Sequence, residues 1–176
     1  MNALVTDLTE LPRLFHYNAW ANARLVDALR PASDRALAIA AHGFTAERIW
    51  LMRLRGETTD GDSIWPELSV RACASLAARN ASALAAYIEG LDKPDLTRKV
   101  RYRNSKGVAY ATAAGDVLRH LLLHSAYHRG QAAAALREDG AEPPVTDFIV
   151  FVRERHEAHP STSSEGQSAP STPRVP

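Results

Sequence analysis

Residues 115–139, GDVLRHLLLHSAYHRGQAAAALRED, hold one helical period along their whole length and carry His120, His124 and His128 four residues apart. At 3.6 residues per turn, positions i and i+4 stand one above the other on the same face. The helix must therefore leave a histidine-lined side half in water or build something from it. Histidine is a middling helix former and neighbouring rings crowd one another, so solubility alone gains little from this spacing. Neutral imidazole binds zinc, nickel, copper and iron, and two such rings on adjacent turns can close on one ion from the same side. A half-exposed stripe and a buried hydrogen-bond network are the alternatives that spacing leaves open.

Three further long helices are expected. The first follows Leu11, Leu14, Phe15, Leu25, Val26 and Leu29, with Thr9 at its N-cap, Pro12 tolerated in its first turn and Pro31 as its stop. A second runs from about Asp34 to Leu54 and ends at Gly56; a third, rich in alanine, runs from about Glu67 to Glu89 and ends at Gly90. Between them GETTDGDSIWP is a loop. Residues 98–112 alternate Val100 and Tyr102, then Val108 and Tyr110, around NSKG, which predicts a short β-hairpin before the fourth helix. After Gly140 and EPP, a short amphipathic helix begins near Thr146. These elements predict an all-α, up-down four-helix bundle with sites built from inward-facing side chains. Residues 1–156 form the bundle domain, and 157–176, a Ser-, Thr- and Pro-rich tail, cannot bury enough apolar surface to order itself.

Composition narrows the function classes. With 21 basic and 20 acidic residues and 45% hydrophobic content, the chain reads as a single globular domain without a global pull toward nucleic acid or anionic membrane. The basic hairpin RKVRYRNSK reads as a solvated strand face rather than a nucleic-acid contact. A single cysteine, Cys73, and an N-terminus carrying acids rather than a basic-then-apolar run predict a cytoplasmic protein with no disulfide. Apolar stretches are too short to span a bilayer. There is no phosphate-binding Gly-rich loop, G-x-S-x-G or H-E-x-x-H, nor the paired Glu-x-x-His of di-iron bundles.

Several polar residues fall on stripes that should be apolar. His42 shares a face with Ile39, Ala46 and Ile49, so it is expected to point to the same interior as the histidines of the fourth helix. Asn18 and Asn22 interrupt the apolar stripe of the first helix; they either orient ligands or substrate, or form a hydrogen-bond network between helices. Glu47 is a carboxylate behind the site or a surface charge. Tyr17, Trp20, Trp50 and Trp65 read as core or interface packing, and Cys73 as a small buried hydrophobe.

FHYNAWANARLVDAL, AHGFTAERIWLMRLRGE, RHLLLHSAYHRGQAAAALREDG and PPVTDFIVFVRE together resemble the DinB family of the DinB/YfiT-like superfamily, over roughly residues 8–155. The motifs are Y-N-x-W-x-N, H-x-x-x-x-E-x-x-W and H-x-x-x-H-R-G-Q. The resemblance implies a four-helix bundle, commonly homodimeric, with a three-histidine site. Its metal ligands fall on His42, His124 and His128, with His120 beside the site. It further implies a divalent ion, zinc or nickel first and iron or manganese after them. The activity implied is that of thiol-dependent transferases or isomerases, with a low-molecular-weight thiol and a small electrophile as partners. Glu47, His120 and Arg129 are the candidates for catalytic groups, and a metal-binding stress or damage-response protein without turnover is the alternative.

Overall fold

The computed structural model describes residues 8–30, 33–59, 61, 63–104 and 106–158. Glu157 and Ala158, expected at the start of the disordered tail, are instead the last residues of the C-terminal helix, while Pro31, the expected helix stop, and the tail from 159 onward lie outside the described residues. The expected four-helix bundle is present, as α1 (Leu11–Ala28), α2 (Asp34–Arg55), α3 (Val70–Glu89) and α4 (Ala114–Glu138). A 3-10 turn at Lys93–Thr97 and a hairpin of β1 (Lys99–Arg103) and β2 (Ala109–Ala113) precede α4, and α5 (Phe148–Ala158) follows it.

Local chemistry sets the ends. Glu10 rather than Thr9 stands at the N-cap of α1, with proline in the first turn. Gly56 ends α2 in the left-handed region, φ 76°, which a side chain would resist. Helix α3 starts three residues later than its periodicity suggested, because the Ser69 hydroxyl accepts the Ala72 N–H at 3.2 Å and fixes the boundary. In the hairpin, Asn104 Oδ1 accepts from the N–H of Lys106 and Val108, and Gly107 takes φ 75° to close the turn. Val100 is the strand residue that plugs into the core, whereas its expected partners in alternation, Val108 and Tyr110, are exposed.

Buried apolar residues form two clusters, and their membership gives the path of the chain. Helix α1 passes from Leu11 and Phe15 in the first cluster to Leu25 and Leu29 in the second. Helix α2 runs the other way, from Ala40 and Phe44 to Leu51 and Leu54, and α3 does the same, from Cys73 and Leu76 to Leu84 and Ile88. Helix α4 returns from Val117 and Leu121 to Ala132 and Leu136. So α1 and α4 point one way and α2 and α3 the other, and the expected up-down alternation is broken at the α2–α3 connection, which is long enough to cross the length of the bundle. Each of α1 and α2 packs against both α3 and α4, which sets α1 diagonally across from α2.

Two parallel neighbours cannot be joined by a tight turn. The segment between α2 and α3, residues 56–69, has to run back along the bundle. Fourteen extended residues reach about 46 Å, more than the roughly 30 Å of a 20-residue helix, so the length suffices. Ile64 and Trp65 of this return segment lie against His42 of α2.

The Y-N-x-W-x-N motif of α1 divides between two jobs. Tyr17 and Trp20 face α5: the Tyr17 hydroxyl donates to the Thr146 carbonyl at 2.8 Å, and Trp20 Nε1 donates to Glu154 at 3.0 Å. Both rings pack on Phe151. Asn18 and Asn22 turn the opposite way, into the bundle. Cys73 is fully buried, and burial pushes its thiol up to about 11, so it is a protonated hydrophobe. No helix among the described residues is long and apolar enough to cross a membrane.

Candidate metal centre

Helices α2 and α4 come close where Gly43 faces α4; a Cβ added to Gly43 would meet the Cβ of His128 at 3.4 Å. This approach brings His42 to the two histidines of the neighbouring helix. One ring nitrogen each from His42, His124 and His128 lies within 4.8 Å of the other two. The Nε2 atoms of His124 and His128 are 3.2 Å apart. Two nitrogens held about 2.0–2.1 Å from one ion, at angles between octahedral and tetrahedral, are separated by about 2.9–3.4 Å. The pair on α4 is thus already at ligating separation, and His42 needs a closure of at most about 1.9 Å.

His42 has a defined tautomer. Its Nδ1 lies 2.5 Å from the Ile64 carbonyl, an acceptor only, so Nδ1 carries the hydrogen and the Nε2 lone pair is free. A carbonyl fixing the far nitrogen of a histidine is the arrangement found behind metal ligands. The Trp65 indole stacks on the same ring, centroids 3.9 Å apart and planes 11° from parallel. Both contacts come from the return segment, which the direction of α3 forces past this face. Trp65, expected as core or interface packing, is instead 53% exposed and covers an imidazole. Neither contact had a signal in the sequence, since the loop has no periodicity and the acceptor is main chain.

His120 stands one turn before His124, rings 5.2 Å apart, and packs on Trp50 at 5.0 Å; it flanks the cluster without joining it. Burial, then the nearby His128, His120 and His42 rings, push His124 down to about 4. Burial likewise lowers His120 and His128. Neutral rings with free lone pairs are what a cation site requires. The unfolded chain titrates its histidines near 6.5. Between that value and about 4 the unfolded state takes up protons that the folded state refuses, so stability is full above neutrality and declines as pH falls through this window. Allowing for solvent screening, chelator-stripped protein is expected to lose roughly 1–2 kcal/mol between pH 7.5 and pH 4.5, about 5 °C in Tm. Thermal melts across that range check it, and a flat profile would show that the rings titrate normally.

Glu47, which the sequence left between two readings, is buried at 2% exposure and is a hub for all four long helices. Its Oε1 accepts from Asn18 Nδ2 at 2.7 Å, Asn22 Nδ2 at 2.8 Å and the Ser125 hydroxyl at 2.7 Å. Asn80 Nδ2 donates to Oε2 at 3.3 Å and to the Phe44 carbonyl at 2.7 Å. The other ends of Asn18 and Asn22 accept from Arg129 Nη1 at 2.6 and 3.0 Å. Two amides therefore bridge a buried carboxylate to a buried guanidinium, in a polar layer between the two apolar clusters. Both amides are occupied at both ends, which is the inter-helix network that was one of their two expected roles.

The layer borders the histidines. His128, 9% exposed, has a buried Nδ1 without a hydrogen-bond partner. It lines a cavity of about 10 Å³ together with Glu47, Ser125 and Arg129, close to the room needed for one water. A groove of about 600 Å³ between α1 and α3, lined by Pro12, Phe15, His16, Ala81, Ala85 and Ile88, contains none of the three histidines. Without converging ligand atoms it offers no comparable chemistry.

Comparison with known proteins agrees with this architecture. No curated protein matches the chain. Among solved structures it is similar to a DinB-like protein from Bacillus cereus ATCC 10987, at 18% identity and a TM-score of 0.61, over 77% of this chain and 94% of that one. At that identity the likeness concerns the fold. The family model of the DinB family matches residues 2–160, nearly the whole of the described chain, and the chain therefore belongs to the DinB family.

Proposed function

We propose that this chain is a divalent-metal protein whose ion is held by His42, His124 and His128, and that the ion serves a thiol-transfer or related reaction on a small electrophile. The supporting observation is the convergence of three imidazole nitrogens, one of them with its far side already tied to a main-chain carbonyl. All-nitrogen ligation suits zinc or nickel, with iron or manganese as further candidates. A bound divalent ion would supply Lewis acidity, favouring the deprotonated form of a thiol or water at neutral pH.

The residues divide the remaining work. The Ile64 carbonyl holds the His42 proton on Nδ1 and so keeps Nε2 available. A single water in the cavity beneath His128 would take its Nδ1 proton toward Glu47 and Ser125, tying that ring to the polar layer. His120, neutral and beside His124, is the candidate for holding or moving a proton at the rim. The family resemblance also implies a homodimer.

A second reading, a metal held without turnover in a stress or damage-response protein, is favoured by one observation. Glu47 and Arg129, two of the three candidate catalytic groups, are engaged inside the bundle. Elemental analysis of protein purified without an affinity tag is expected to find about one divalent ion per chain, followed by turnover with one of a panel of cellular thiols and electrophiles. A chain that takes up none of zinc, nickel, iron and manganese refutes the metal reading. An ion retained without turnover selects the second.

A further inference from the structure

Resting on the three-histidine metal reading, we infer that the molecule admitted to this centre is aromatic or otherwise planar and apolar, and that Trp65 and Tyr127 form the walls that select it. The two rings flank the histidines from opposite partners. Trp65 lies parallel to His42, offset from the plane in which the free Nε2 lone pair points, so it stands beside that lone pair rather than across it. Tyr127 meets His128 edge-on at 5.2 Å. Both keep most of their surface in water, at 53% and 63% exposure, so neither is consumed by packing.

The surroundings are apolar as well. Ile64 and Leu123, neighbours in sequence of Trp65 and His124, are also among the large exposed hydrophobics. Side chains of this size are left in water at a cost, and two exposed aromatic rings in contact with converging ligand atoms mark a binding surface rather than ordinary scatter. Helix α4 carries no Asp, Glu, Lys or Arg between Arg119 and Arg129, and the return segment carries none from Ser63 to Pro66. A phosphorylated or polycarboxylate ligand would find no countercharge on those two stretches. A flat ring with one donor group would find aromatic faces and edges, the contacts that indole and phenol make best.

The test compares two probes with the same metal-binding head, benzohydroxamic acid and acetohydroxamic acid, titrated by calorimetry into zinc-loaded full chain. The aromatic probe is expected to bind about tenfold more tightly. That ratio is expected to fall to about two in Trp65→Ala and in Tyr127→Ala, with zinc content held at the wild-type level in Tyr127→Ala, whose ring makes no hydrogen bond to a histidine. Equal affinities in the wild type, or a preference that survives both substitutions, would overturn the aromatic selection while leaving the metal site intact. A wild-type chain that holds none of zinc, nickel, iron and manganese would instead remove the metal reading on which the selection stands.

Discussion

His124→Ala is expected to weaken zinc or nickel binding by at least about 100-fold while the helical content stays that of the wild type. Replacing groups merely behind a ligand costs about 10–100-fold, so loss of a ligand sets that as the lower bound. The fold should survive because His124 is only half-buried and belongs to neither apolar cluster. Its removal also relieves the desolvation that drives the ring to about 4. A chelator-competition titration gives the affinity and far-UV circular dichroism the fold. Wild-type affinity in the variant would take His124 off the ligand set and, with it, the pairing of two adjacent turns.

The second large effect concerns stability. Glu47→Ala should cost about 3–5 kcal/mol, because it leaves the Arg129 guanidinium buried without its carboxylate and strands donors on Asn18, Asn22 and Ser125. Against a typical total of about 5–15 kcal/mol this is a large fraction, and it corresponds to a fall in Tm of about 10 °C. Glu47→Ala combined with Arg129→Met removes both charges and is expected to recover part of the loss. Urea unfolding measures both. A single-variant cost under about 1 kcal/mol would mean that the layer does not couple the helices.

The helices were legible because each buries one face at a 3.6-residue period. The three-histidine cluster was legible from i, i+4 spacing together with His42 on an apolar stripe. Glu47 could have been settled by the same rule, since it falls three residues after Phe44 and four before Leu51, both buried. Asn80 and Ser125 were missed although the signal existed: Asn80 sits between Ala77 and Leu84, and Ser125 continues Leu118 and Leu121. Small or amide side chains on an alanine-rich helix carry little contrast, so the stripe was read past them. The return segment was beyond reach for another reason. Its position follows from the directions of α2 and α3, which are a property of the packed bundle and not of any local window.

The polar layer also acts as a latch on helix height. If α4 slid by one turn, about 5.4 Å, Ser125 and Arg129 would lose Glu47 and the amides and meet leucines instead. Sliding α2 would strand the same carboxylate. Residues that touch no ligand thereby keep three imidazoles from two separate rods level with one another, as a buried amide can fix the register of a coiled coil. Loosening the latch should blur the centre before it unfolds the bundle.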